Sequence, residues 1–95
     1  MVVEKKIVIN NKAGLHARPA ALFVQIANKY ESDISVIKGK DTVNGKSIMG
    51  ILMLAAGKGA MVTIVASGDD AELAVQELSK LLLEDTDTGF KGRLR

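Results

Sequence analysis

The chain has 95 residues, 47% hydrophobic and 25% charged, which suits one small globular domain with a single core. It has no cysteine; this excludes a disulfide framework, a thiol nucleophile and a cysteine-ligated metal site, and it fits a reducing cytoplasm. The formal charge of +2 is mildly basic but names no partner, because part of the excess lies in Lys91, Arg93 and Arg95 near the end of the chain.

The opening MVVEKKIVIN alternates apolar and charged residues and has no basic region followed by an apolar run, so it does not read as a signal peptide. Val3, Ile7 and Ile9 share one side of a two-residue period and Glu4, Lys6 and Val8 the other, which predicts a first strand. Asn10 to Leu15 is a turn-rich connection. From Ala17 onward, Ala20, Phe23, Val24 and Ala27 recur at helical spacing to about Lys29. Ile34, Val36 and Ile37 give a second strand, Gly39 and Lys40 a turn, and Asp41 to Asn44 a short returning strand.

Ser47 to Leu54 is a short helix with Ser47 placed to cap it and the glycines 57 and 59 placed to end it. The stretch 47–57, the longest nearly free of charge, is too short to cross a bilayer, and a soluble protein with no membrane insertion is expected. Met61 to Ser67 is a fourth strand with Val62, Ile64 and Ala66 on one face. Asp69 and Glu72 have capping-box spacing before a third helix whose stripe is Ala71, Ala74, Val75, Leu78, Leu81 and Leu82. The remaining DTDTGFKGRLR lacks the periodicity of the earlier elements. The expected organisation is therefore a domain over 1–84 and a flexible tail over 85–95. Apolar helix stripes and half-polar strands are both satisfied by an α+β open-faced sandwich of order βαββαβα, a four-stranded, mainly antiparallel sheet carrying three helices on one face.

The sole histidine, His16, sits where the loop becomes the first helix, in GLHARPAA. Pro19 is tolerated in that first turn because N–H groups there have no intrahelical partner. Those free groups, the positive end of the helix dipole and the planar donor fork of Arg18 together suit an anion held by the imidazole. The same field disfavours imidazolium and biases the ring toward the neutral nucleophile. Spacing alone also allows a surface histidine that merely caps the helix. With no second histidine, no flanking carboxylate pair and no metal-ligand spacing, neither hydrolysis nor a metal or other cofactor is indicated.

GLHARPAALFVQIA resembles the phosphohistidine motif of HPr, the histidine-containing phosphocarrier of the bacterial sugar phosphotransferase system, and NGKSIMGILML resembles that family's second signature. The resemblance runs from Val3 to about Glu84. It implies a carrier that is not itself an enzyme. His16 would accept phosphate on Nδ1 from phospho-Enzyme I and give it to Enzyme IIA domains, with Arg18 as the phosphate-binding arginine. The basic tail is longer than the family leads one to expect.

Gly45-Lys46-Ser47 has the ending of a P-loop, but the leading glycine position is Lys40 and the nucleotide-binding scaffold is missing. Ser47 reads on its own as a helix cap. Within the resembling family, Lys-Ser-Ile-Met-Gly is the form found in Gram-positive-like bacteria. There the HPr kinase/phosphorylase modifies this serine, and the modified surface binds a catabolite-control transcription factor. Capping and modification are compatible. The segment after Ser47 is apolar all round, so Ile48, Met49 and Leu52 should stay partly exposed as a docking patch, with Ala21 of the first helix beside them and Ile51 and Leu54 inward. The alternative is that Met49 and Leu52 fill core.

A nucleic-acid module would suit the size and charge, but Phe23, Tyr30 and Phe90 lie in no RNA-binding strand motif and Gly57-Lys58-Gly59 lacks a GxxG spacing. A regulator acting only through Ser47 would have no use for His16 and Arg18. The nitrogen-related paralogue of the system uses the same histidine chemistry and stays open. A monomer is expected.

Overall fold

Alternation of apolar and polar side chains sets the sheet. The computed structural model describes residues 1–10, 14–15, 17–54 and 56–83. Its elements are β1 (Val2–Val8), α1 (Ala17–Ala27), β2 (Asp33–Lys38), β3 (Asp41–Asn44), α2 (Ile48–Leu54), β4 (Met61–Ser67) and α3 (Ala71–Leu83). The strands form one sheet in the order β1-β4-β2-β3, every pairing antiparallel. The architecture is the α+β open-faced sandwich that the sequence predicts.

Register explains which side is covered. Ile7 pairs with Val62, and Val36 with both Ile64 and Val43, so the inward residues of neighbouring strands line up. Ile7, Val36, Val62, Ile64 and Ala66 are buried, and Phe23, Ala20 and Ala27 of α1 meet them. α3 lies on β1 and β4, α2 on β3, and α1 packs between α2 and α3. Lys5 shares the inward side with its partner Ile64 yet is exposed. A lysine of that kind on a free edge strand discourages unwanted strand pairing.

The helix ends differ from expectation in instructive ways. α1 stops at Ala27 rather than near Lys29: the Asn28 side chain donates to the Val24 carbonyl at 2.9 Å, and Lys29 and Tyr30 donate to carbonyls only three residues back. Such bonds tighten and finish a last turn. α3 starts one residue later than the Asp69–Glu72 spacing implies. Ala74 N donates to the Asp70 carbonyl at 3.0 Å, which makes Asp70 the cap residue. Its carboxylate is engaged elsewhere, accepting from Glu31 N, Ser32 N and Ser32 Oγ. At the other end of α3, Asn10 donates from its backbone to the Leu82 carbonyl and from its side chain to that of Leu83. The glycine pair does not cap α2. Ala60 N donates to the Gly57 carbonyl, and Gly59, at φ +90°, supplies the left-handed third position of that turn into β4. The tail 85–95 lies outside the described residues.

Candidate functional site

The site is built where the chain enters α1. Gly14 adopts φ +63°, and a Cβ there would come within 2.7 Å of the Gly57 Cα, so only glycine lets the two backbones approach. Leu15, buried, donates its N–H to the Ala56 carbonyl at 2.8 Å. The entry to α1 is thereby fastened to the segment that leaves α2. Pro19 and Ala20 are buried in the first turn while Ala17 and Arg18 are exposed. The N–H groups of Ala17 and Arg18 have no carbonyl within the helix to bond, and proline has none to leave unpaired. The residue preceding α1 in the chain is His16, which lies outside the described residues.

α2 is organised by Ser47 and Gly50. Gly50 N donates to Ser47 Oγ at 3.1 Å and Ile51 N to the Ser47 carbonyl at 3.0 Å, so Ser47 caps the helix. A Cβ on Gly50 would stand 3.3 Å from Val43 Cβ and from the Asn44 carbonyl oxygen, which is how closely α2 settles on β3. Lys38 Nζ donates to the Leu54 carbonyl at 3.4 Å, placing a cation at the helix's C-terminal end. Ile51 and Leu54 point inward and are buried.

The opposite side of α2 is bare. Met49 is 63% and Met53 76% exposed, with Ile48 and Leu52 each at 38%. Of the residues expected in a docking patch, Ile48, Met49 and Leu52 are exposed, so Met49 and Leu52 are not core fillers, and Ala21 is half-buried on the neighbouring α1. Sequence reading missed Met53, which enlarges the face, and Leu22, exposed on the neighbouring α1. The signal for Met53 was available, since it lies four residues after Met49 and therefore on the same side of a helix. Ser47 stands at the start of α2, a seven-residue helix of about 10 Å, and the segment that leaves this helix is the one to which the entry of α1 is fastened. Among the described residues no group of three or more His, Cys, Asp or Glu could hold a metal, and no helix is long and apolar enough to cross a membrane.

Element order, sheet topology and a bare helix beside the start of α1 define a class, small α+β domains that present one helix start and an adjacent apolar face at the surface. The family model PTS-HPr, described as the PTS HPr component phosphorylation site, matches residues 3–84, and the chain belongs to this family of phosphocarrier proteins, which carry a group rather than act as catalysts. The chain is 44% identical over 84 residues to the HPr-like protein Crh of Bacillus subtilis, a match spanning 88% of this chain and 99% of that one. The crystal structure of the phosphocarrier protein HPr from Bacillus anthracis superposes with a TM-score of 0.83 at 51% identity, covering 85% of this chain and 96% of that one. A crystal structure of the Bacillus subtilis catabolite-repression protein Crh, reported as a domain-swapped dimer, gives a TM-score of 0.71 at 44% identity, covering 87% and 95%. Because that relative pairs, the expectation of a monomer gains no support from the comparisons.

Proposed function

We propose that this chain is a phosphoryl carrier of the sugar phosphotransferase system, taking phosphate on His16 from phospho-Enzyme I and passing it to Enzyme IIA domains in the cytoplasm. The observation that supports this most is the start of α1, where first-turn amides that have no carbonyl within the helix to bond, and an exposed Arg18, follow directly on His16 in the chain, beside the bare face of α2. A neutral imidazole attacks the donor's phosphorus; one N–P bond forms as the donor's N–P bond breaks, and the step needs no metal or hydrolytic base. The amides of Ala17 and Arg18, the positive end of α1 and the guanidinium fork favour the anionic product. Such support must be moderate, because the phosphate has to leave again for the acceptor.

Ile48, Met49, Leu52 and Met53, with Ala21 and Leu22, form the docking face for donor and acceptor alike. Methionine's flexible thioether suits a surface that meets several partners. Ser47 is the regulatory position, modified by the ATP-dependent HPr kinase/phosphorylase. Its phosphate would add about −1.5 to −2 charges at the rim of the apolar face, where a docking partner must desolvate or oppose it. With the length of α2, about 10 Å, between Ser47 and the segment that fastens the entry of α1, that charge acts on encounter more than on the chemistry.

One observation favours a second role in the same chain. Similarity to Crh, together with a serine in the capping position, fits binding to a catabolite-control transcription factor once Ser47 carries phosphate. The two roles are separable. Chain charged from phosphoenolpyruvate and Enzyme I is mixed with a sugar-specific Enzyme IIA and, separately, with the nitrogen-branch counterpart. Rapid transfer to the sugar acceptor is expected. Transfer confined to the nitrogen acceptor would assign the paralogous branch, and no charging at all would leave only the regulatory role.

A further inference from the structure

Lys46, the residue before Ser47, is committed to a distant carbonyl. Its backbone N–H donates to Asn44 Oδ1 at 2.9 Å, while its side chain crosses to the turn after α1 and donates from Nζ to the Tyr30 carbonyl at 2.6 Å. The other end of that peptide unit is gripped as well, for Glu31 N–H donates to Asp70 Oδ2 at 2.9 Å. One peptide thus stands between an ammonium on its oxygen and a carboxylate on its N–H. Hydrogen bonds in series polarise and strengthen each other. Asp70 also accepts from the Ser32 hydroxyl at 2.5 Å and the Ser32 N–H at 3.0 Å, and it caps α3. Those donors, the Ser32 hydroxyl foremost, hold its carboxyl below the usual carboxylate range.

We propose that Lys46 is a latch whose hold on the Tyr30 carbonyl is released by phosphate on Ser47, so that modification at α2 is transmitted through the Tyr30–Glu31 peptide to Asp70 and the start of α3. A phosphoserine puts about −1.5 to −2 charges and three strong acceptor oxygens one residue from the Lys46 ammonium. An ionised acceptor binds an ammonium more strongly than a neutral carbonyl does. Once Lys46 turns to the phosphate, the Tyr30 carbonyl loses its donor, the peptide loses polarisation, and the Glu31–Asp70 bond weakens. The turn between α1 and β2 then opens more often. The release step rests on Ser47 being a modified residue; the latch itself does not.

Phosphoserine is therefore installed at position 47 during translation, without a kinase, and native-state amide exchange is read at Glu31 and Ser32 against Ile64 in β4. Five proteins are compared: unmodified, phosphoserine-47, Lys46→Met, Lys46→Met carrying phosphoserine-47, and Lys46→Arg. Lys46→Met should speed Glu31 exchange roughly tenfold with Ile64 unchanged. Phosphoserine alone should give a comparable increase, and adding it to Lys46→Met should give nothing further. Lys46→Arg, which keeps a cation, should exchange like the unmodified chain. Unchanged Glu31 exchange in Lys46→Met, no response to phosphoserine, or an equal response to phosphoserine with and without Lys46 would each overturn the latch. Incubation with the kinase/phosphorylase and ATP asks separately whether Ser47 is modified, so failure there removes the regulatory reading while the exchange data still decide the latch.

Discussion

The pole at the start of α3 and the face made by α1 and α2 treat their surface groups in opposite ways. Around the pole, polar groups are paired with one another. Ser32, 1% exposed, binds Asp70, the Tyr30 hydroxyl donates to Glu77, and Lys29 reaches the same carboxylate at 2.8 Å. On the face, two methionines and three further aliphatic side chains stand in solvent. Matching polar groups fixes one conformation, whereas leaving apolar groups uncovered forgoes about 25 cal/mol for each Å² that could have been buried. The first region therefore maintains the fold, and the second is the surface that the proposed docking would cover.

Substitutions at the two regions should separate stability from transfer. The largest expected effect is Gly68→Ala. Gly68 has φ +152°, and a Cβ there would lie 2.4 Å from Ser32 Oγ and 2.8 Å from Ser32 Cα, so backbone must move. About 2–4 kcal/mol of stability should be lost, read by denaturant unfolding. Asp70→Ala strips the partner from the buried Ser32 hydroxyl and two N–H groups and should lower the denaturant midpoint by less than Gly68→Ala does, with Asp70→Asn milder because its oxygen still accepts. On the face the pattern should invert. Met49→Glu or Met53→Glu should shift stability by no more than about 0.5 kcal/mol while weakening Enzyme I and Enzyme IIA binding by roughly tenfold or more. A variant at the face that unfolds the domain but still binds would reverse the assignment.

The smallest effects are those of pH, and they belong to the pole. Hydrogen bonds from Lys29 first and Tyr30 second hold the Glu77 carboxyl low, as Ser32 and Glu31 do for Asp70. Both groups contribute stability that is present above their unfolded values and lost as pH falls through their depressed folded values. Tyr30 behaves in the opposite sense. Its hydrogen bond to Glu77, then burial, pushes the phenol from 10.0 up to about 12, so its contribution is whole below the unfolded value and disappears as pH rises through about 12. It is the single tyrosine in a chain without tryptophan, so near-ultraviolet absorbance follows it directly. Glu77→Gln should return the titration toward the ordinary range.

Much of the fold was legible because each element carries its own period. The stripe from Ala71 to Leu82 and the alternation of Val62, Ile64 and Ala66 reproduce the buried positions. Ser79, buried on α3 with no partner for its hydroxyl among the described residues, was invisible to a rule that looks for apolar residues. Local spacing also misplaced the start of α3, since what recruits the Asp70 carboxylate is a turn some forty residues earlier in the chain. Ser47 as a cap and the exposure of Met49 were readable, one from residue type at a helix start and the other from a helix too apolar to hide every side. The latch through Lys46 was not, because a lysine side chain reaching a carbonyl sixteen residues away leaves no pattern in sequence.

The central claim is that phosphate is carried on His16. The most direct measurement is to incubate the chain with phosphoenolpyruvate and purified Enzyme I, then map the phosphate by peptide mass spectrometry before and after mild acid, with His16→Ala in parallel. The account predicts one phosphate on the peptide containing His16, lost in acid and absent from a folded His16→Ala variant. Phosphate on any other residue, or equal labelling of His16→Ala, would contradict it.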